Sequence, residues 1–297
     1  MIISCVLPLL IVAVFGALAP PLSRKVQPAL AIWTLSAGGL VLTLCGVVAL
    51  GIVAAVGLGQ LAPLAHIGHW SPYRLGLDAP FQEWSVWTAV ALVIAAATRA
   101  ASTSWTQVRR LGAAWSASRA APAGLVVLGD EEAYAYAVPG WPGRIVVSVG
   151  LLRILDAPSR RAVLAHEQTH LGERHDLHHL AAALAAAVNP LLIRSASALI
   201  LACERRADEV AAREVGHRAA VAQAITTVVD PHCHAMAWSA AGRDVQTRVA
   251  ALLSPPPDNR FVSSVLVIGT VVAMALSTVS VLWLGHDLRN VLIMARS

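Results

Sequence analysis

His166-Glu167-Gln168-Thr169-His170 decides how this chain is read. The run Arg161-Ala162-Val163-Leu164-Ala165 just before it reads as helix, and Asp156 with Ala157-Pro158 supplies a helix start. Residues four apart on a helix share a face, so His166 and His170 can present both imidazoles to one zinc ion, with Glu167 beside it. Catalytic zinc usually takes three protein ligands and keeps a fourth position for water. A third ligand is therefore needed.

Cys203-Glu204-Arg205-Arg206-Ala207-Asp208-Glu209 supplies a candidate downstream. Glu204 and Asp208 are one helical turn apart, so Glu204 can complete a zinc shell while Asp208 reaches a ligating histidine. HEXXH paired with ExxxD is the gluzincin pattern of zinc peptidases. A plainer alternative makes His166 and His170 surface histidines, and Glu204 and Asp208 ion-pair partners of Arg205 and Arg206. Both sites lie beside apolar stretches rather than in solvated charge runs, which favours the metal. Glu209 is a rival ligand.

Composition places the chain in a membrane. Hydrophobic residues make up 57% of it and charged residues 13%, with a mean hydropathy of +0.66, far from a soluble average. Four segments approach the roughly 20 apolar residues a crossing needs: 2–19, 30–61, the short 84–98, and 261–284. The first lacks the basic start of a signal peptide and is read as a retained helix. Arg24, Lys25, Arg99, Arg109, Arg110 and Arg119 flank these segments and belong on the cytoplasmic side. The loop with His66, His69, Arg74, Asp78 and Glu83 faces outward. The expected order is therefore three transmembrane helices over 1–98, a cytoplasmic peptidase domain over 99–260, and a fourth helix with a short tail over 261–297.

The net charge of +5 is almost wholly arginine beside membrane segments, which points to lipid headgroups and away from nucleic acid. Cys5, Cys45, Cys203 and Cys233 imply no disulfide framework. Within 99–260, a helix over 102–121 is followed by β signals at 124–128, 133–138 and 144–149, with a turn at Pro139-Gly140-Trp141-Pro142-Gly143. Residues 180–203 are apolar enough to raise a fifth crossing. Asn189-Pro190 breaks that stretch, and Arg194 at the bilayer centre would cost roughly 2.5–3.5 kcal/mol. A crossing would also part Glu204 from His166. Two helices on the membrane surface, or over the active site, are expected instead.

GRIVVSVGLL (143–152), AVLAHEQTHLGERHDL (162–177), NPLL (189–192) and CERRAD (203–208) together resemble the BlaR/MecR-type membrane metallopeptidases. The HtpX/CAAX prenyl protease type, which shares HEXXH and a Glu-bearing second motif, is the nearest competitor. The resemblance implies a mainly α integral membrane protein of about four transmembrane helices, with an α+β gluzincin-type zinc peptidase domain between helices three and four. It implies that His166, His170 and Glu204 hold Zn2+, that Glu167 is the catalytic base, and that Asp208 orients a zinc-bound imidazole. The expected partners are a protein or peptide substrate and membrane lipid, with a homodimer admitted and nucleic acid excluded. The substrate is a cytoplasmic or membrane-proximal protein, a transcriptional repressor in signal transduction by family analogy. Two alternatives are a noncatalytic gluzincin-fold scaffold and an HtpX-like quality-control protease. His175, His178 and His179 read as a polar helix end or contacts behind the ligands, His217 as a core or surface residue, and His232-Cys233-His234 as a loop.

Overall fold

The computed structural model describes residues 1–78, 81–118, 124–228, 243–255, 257 and 259–296. The chain begins with α1 (Ile2–Ser23) and α2 (Pro28–Leu58), then the short α3 (Ala62–Gly68) and α4 (Pro72–Asp78), then the long α5 (Glu83–Ser118). Strands β1 (Gly124–Leu128), β2 (Ala135–Val138) and β3 (Arg144–Ser148) precede α6 (Val149–Ile154) and α7 (Ala157–Gly172). Next come α8 (His175–Val188), a 3-10 turn at Pro190–Leu192, α9 (Ile193–Val215) and α10 (Arg218–Val228). Helices α11 (Arg243–Leu253) and α12 (Arg260–Arg296) close the described chain. Among the described residues, α1, α2, α5 over Glu83–Ala113 and α12 are long and apolar enough to cross a membrane. These four membrane-spanning helices flank an α+β domain of gluzincin-like architecture.

Two helices outrun the expected segments. The third crossing does not stop near Thr98, and the helix expected to begin at Ser102 is its continuation. No proline interrupts Glu83–Ser118, and the hydroxyls of Thr98, Ser102 and Thr106 bond back to carbonyls one turn earlier instead of breaking the helix. The fourth crossing likewise continues beyond Leu284 to Arg296. At this end of the bundle Val291 and Ala295 pack with Leu75 of α4, Trp70 and Met1. At the opposite end, Arg205 of α9 donates to the Arg24 carbonyl between α1 and α2, at 3.2 Å. The domain that carries the two motifs therefore sits where α1 joins α2. Arg119 and His232-Cys233-His234 lie outside the described residues.

Residues 180–203 neither form a continuous helix nor lie flat beside the bundle. Asn189 ends α8, its side-chain oxygen accepts from the Leu191 amide at 3.1 Å, and Pro190 opens the turn that sends α9 back. Helices α8 and α9 thus form an antiparallel hairpin that packs against α1 and α2, with α8 also on α5. Ala182, Ala185, Leu192 and Leu199 share a core with Val12, Phe15, Leu35 and Leu42 of the first two helices. Gly16 lies against the Leu191 carbonyl, seven residues before the end of α1, about 10 Å at 1.5 Å per residue. Small residues on both sides let the backbones approach. Arg194 is exposed near the tip, where its stem can carry the charge toward a polar region.

The sheet has β3 in the centre, parallel to β1 and antiparallel to β2. Among the described residues the outer edge of β2 has no strand partner, and β2 packs on α7. The Ser148 amide donates to the Tyr134 carbonyl at 3.0 Å. Since hydrogen-bonded pairs alternate in an antiparallel ladder, Tyr136 and Val138 also turn their backbone groups to β3. Ala135 and Ala137 turn theirs to the outer edge.

A Cβ on Gly16 would stand 2.5 Å from the Leu191 carbonyl oxygen, whereas one on Gly51 meets nothing within 4 Å. Gly16→Ala should destabilise the detergent-solubilised protein by about 1–3 kcal/mol. Gly51→Ala should be neutral or stabilising by up to about 1 kcal/mol. Thermal unfolding of the two variants checks the depth of the hairpin.

Candidate metal centre

Helix α7 starts where the sequence places it: Asp156 caps it by accepting from the Ser159 amide at 2.9 Å, with proline in the first turn. From there α7 runs through His166 and His170 and packs along α9, which carries Glu204 and Asp208. Because the hairpin turns back, both motifs emerge on the same side of the bundle.

The imidazole Nε2 atoms of His166 and His170 lie 3.1 Å apart. Glu204 offers one carboxylate oxygen to each Nε2, at 3.5 Å. All three ligand atoms fall within 4.8 Å of one another. Tetrahedral zinc with bonds of 2.0–2.2 Å spaces its ligands by about 3.3–3.6 Å, so this two-nitrogen, one-oxygen set fits the ion. The rival Glu209 is turned away and pairs with Arg218 at 2.6 Å. The plainer ion-pair alternative is also not what forms: Arg206 binds Glu173 at 2.6 Å, and Arg205 reaches the Arg24 carbonyl.

Asp208, 1% exposed, accepts from His166 Nδ1 at 3.0 Å. That bond leaves the Nε2 lone pair facing the proposed metal position. A residue without any motif supports it. Arg248 of α11 donates to both oxygens of Asp208, at 2.8 and 2.7 Å, and lies 2.9 Å from Glu204 Oε2. Two carboxylates so close together, Asp208 buried and Glu204 half-buried, call for such a cation. Glu167 lies half-buried beside them, and the Ala137 amide of β2 donates to it. Burial raises the Glu167 pKa, opposed by His166, the Ala137 amide and Arg248. A carboxyl raised in this way takes up a proton more readily than a free one.

Without metal the two histidines differ. Burial opposes charge on His166, but hydrogen bonds and attraction from Asp208 and Glu204 outweigh it and push its pKa up to about 10. Burial holds His170 neutral, down to about 3. A proton on His166 Nε2 can then bridge to His170, and it occupies the place a zinc ion would take.

The remaining histidines separate by environment. His175 is buried against His170, His178 bonds Ser36 of α2 at 3.0 Å, and His179 stands 6.5 Å from the His170 ring, centroid to centroid. His217 is exposed.

Two outcomes follow from these charges. Zinc binding at pH 7–9 should release about one proton per ion, because His166 must give up its Nε2 proton. The release should vanish above about pH 10, and calorimetry in buffers of different ionisation enthalpy measures it. Separately, Arg248→Gln strands the buried Asp208 and the half-buried Glu204 and should cost the metal-free protein about 3–5 kcal/mol. Denaturation with and without zinc should show the ion restoring part of that loss.

Comparison with known proteins adds one finding. No curated protein and no solved structure matches the chain. Peptidase family M48 matches residues 100–200, a third of the chain that includes His166, Glu167 and His170 but ends before Glu204. This supports the gluzincin resemblance on its HtpX/CAAX-like side without singling out the BlaR/MecR type. Over its HEXXH segment, the chain is similar to peptidase family M48.

Proposed function

We propose that the protein is a membrane-embedded, zinc-dependent endopeptidase that hydrolyses peptide bonds of a membrane-proximal protein. The observation that carries this reading is the convergence of His166 Nε2, His170 Nε2 and a Glu204 oxygen on one point, with half-buried Glu167 beside it. A zinc ion held there supplies Lewis acidity to the scissile carbonyl and acidifies water. Similarity of the HEXXH segment to peptidase family M48 supports the same chemistry.

In this reading Glu167 takes a proton from the attacking water through its carboxylate and delivers it to the leaving amine nitrogen. Its raised pKa suits both halves of that shuttle. Asp208 holds the His166 ring by Nδ1, and Arg248 keeps Asp208 and Glu204 ionised. An extended substrate segment would add to the outer edge of β2 beside α7, pairing with the outward groups of Ala135 and the Ala137 carbonyl, the Ala137 amide being held by Glu167. Strand addition aligns a peptide bond by its backbone and requires little of its side chains. Substrates are therefore unfolded or extended segments.

The peptidase domain lies within residues 99–260, beyond the membrane part of α5, and faces the cytoplasm, in keeping with Arg24, Lys25, Arg99, Arg109 and Arg110 toward that end of the bundle. A repressor substrate is the regulatory form of this proposal, by analogy with the BlaR/MecR type. A noncatalytic scaffold would have no use for a carboxylate base beside three converging ligands.

Glu167→Gln tests the proposal, since it removes the base while leaving the three ligands. Zinc should be retained, and turnover of an extended fluorogenic peptide should fall by about 10²–10⁴-fold. A wild-type protein that binds zinc but cleaves no protein or peptide would favour the scaffold.

A further inference from the structure

We infer that His175 is a positioning residue for the proposed metal centre: it accepts the Nδ1 proton of His170 and so turns the His170 Nε2 lone pair toward the ion. The inference rests on the zinc reading proposed above and assigns to His170 what Asp208 does for His166.

The geometry comes from a tight break between two helices. Helix α7 ends at Gly172, and α8 begins at His175 after Arg174, a non-glycine residue held in the left-handed region at φ 52° and ψ 44°. That conformation is strained for a side chain bearing a Cβ and persists only where its surroundings fix it. Here Arg174 donates to the Gly140 carbonyl at 3.4 Å and to Asp176 at 3.2 Å. The break sets His175 against His170, where it is 1% exposed. Its ring meets that of His170 edge on, with centroids 4.7 Å apart and planes at 85°.

The two Nδ1 atoms are 3.0 Å apart. A hydrogen bond between them needs one donor and one acceptor. His170 Nε2 points at His166 and Glu204, so it must keep its lone pair for a metal and carry its proton on Nδ1. His175 Nδ1 is then the acceptor, and the His175 proton sits on Nε2. That buried Nε2 faces Glu173 Oε2 at 3.6 Å, just beyond hydrogen-bond length. Glu173 in turn is clamped by Arg206 Nε at 2.9 Å and Nη2 at 2.6 Å. The negative end of the chain from His170 to His175 to Glu173 thus lies where it favours the required His175 tautomer. Helix α8 itself is fixed to the membrane bundle by the bond from His178 to Ser36.

The test measures zinc affinity by chelator competition on the full-length, detergent-purified protein. His175→Leu keeps bulk without an acceptor, whereas His175→Asn offers a side-chain oxygen close to the place of Nδ1. His175→Leu should weaken zinc binding about 10–100-fold, and His175→Asn should recover most of the loss. Wild-type affinity in His175→Leu, or equal weakening in both variants, would overturn the assignment and leave His175 a packing residue. Should His175→Leu fail to fold, nitrogen NMR of the zinc-loaded wild type with labelled histidine decides. His175 protonated on Nε2 alone supports the inference, and a proton on its Nδ1 overturns it. A wild type that binds no zinc overturns the proposed function as well, whereas zinc bound equally by all three proteins overturns only the role of His175.

Discussion

Asp208 is the interaction on which the rest of the site depends. Burying a carboxylate costs several kcal/mol unless it is paired and hydrogen-bonded, and Asp208 is 1% exposed. Three charge-assisted bonds compensate, one from His166 Nδ1 and two from Arg248. Those partners belong to α7 and α11, so satisfying one side chain of α9 draws three helices to a common point. His166 is oriented, Glu204 is held a turn away from Asp208, and a cation is fixed between the two carboxylates.

The membrane part of the fold meets a matching demand. Glu204 follows His170 by 34 residues, much of that interval apolar, and both must reach the same side of the bundle. A hairpin satisfies this where a crossing would not. Asn189 and Pro190 reverse the chain, and Gly16, Ala182 and Ala185 let the hairpin press into α1 and α2. The site therefore stands directly on helices whose packing reaches into the bilayer. The same helices that gather the ligands also anchor them.

The parts legible in the sequence were those set by local periodicity. His166 and His170, and Glu204 and Asp208, are one helical turn apart whatever the tertiary fold, and Asp156 caps its own helix. The three strands were readable from β-branched runs around a proline and glycine turn. Arg248 was not readable, because its partners lie 40 and 44 positions earlier on another helix and no spacing rule connects them. The position of His175 was equally hidden, since it depends on Arg174 adopting a left-handed conformation that propensity disfavours. The continuity of α5 was missed because its apolar run ends before the helix does, and hydroxyl side chains within the helix bond to their own backbone. The depth of the 180–203 hairpin follows from complementary small residues on α1, α2 and α8, a pairing that a single sequence does not reveal.

X-ray absorption at the zinc edge of the purified, metal-loaded protein tests the central claim most directly. The expected spectrum is one zinc with nitrogen and oxygen neighbours at about 2.0–2.2 Å, including the outer-shell signature of two imidazoles and no sulfur. Glu204→Ala should perturb that shell. A sulfur neighbour at about 2.3 Å, fewer than two imidazoles, or a spectrum unchanged by Glu204→Ala would contradict the assignment of His166, His170 and Glu204 as the ligands.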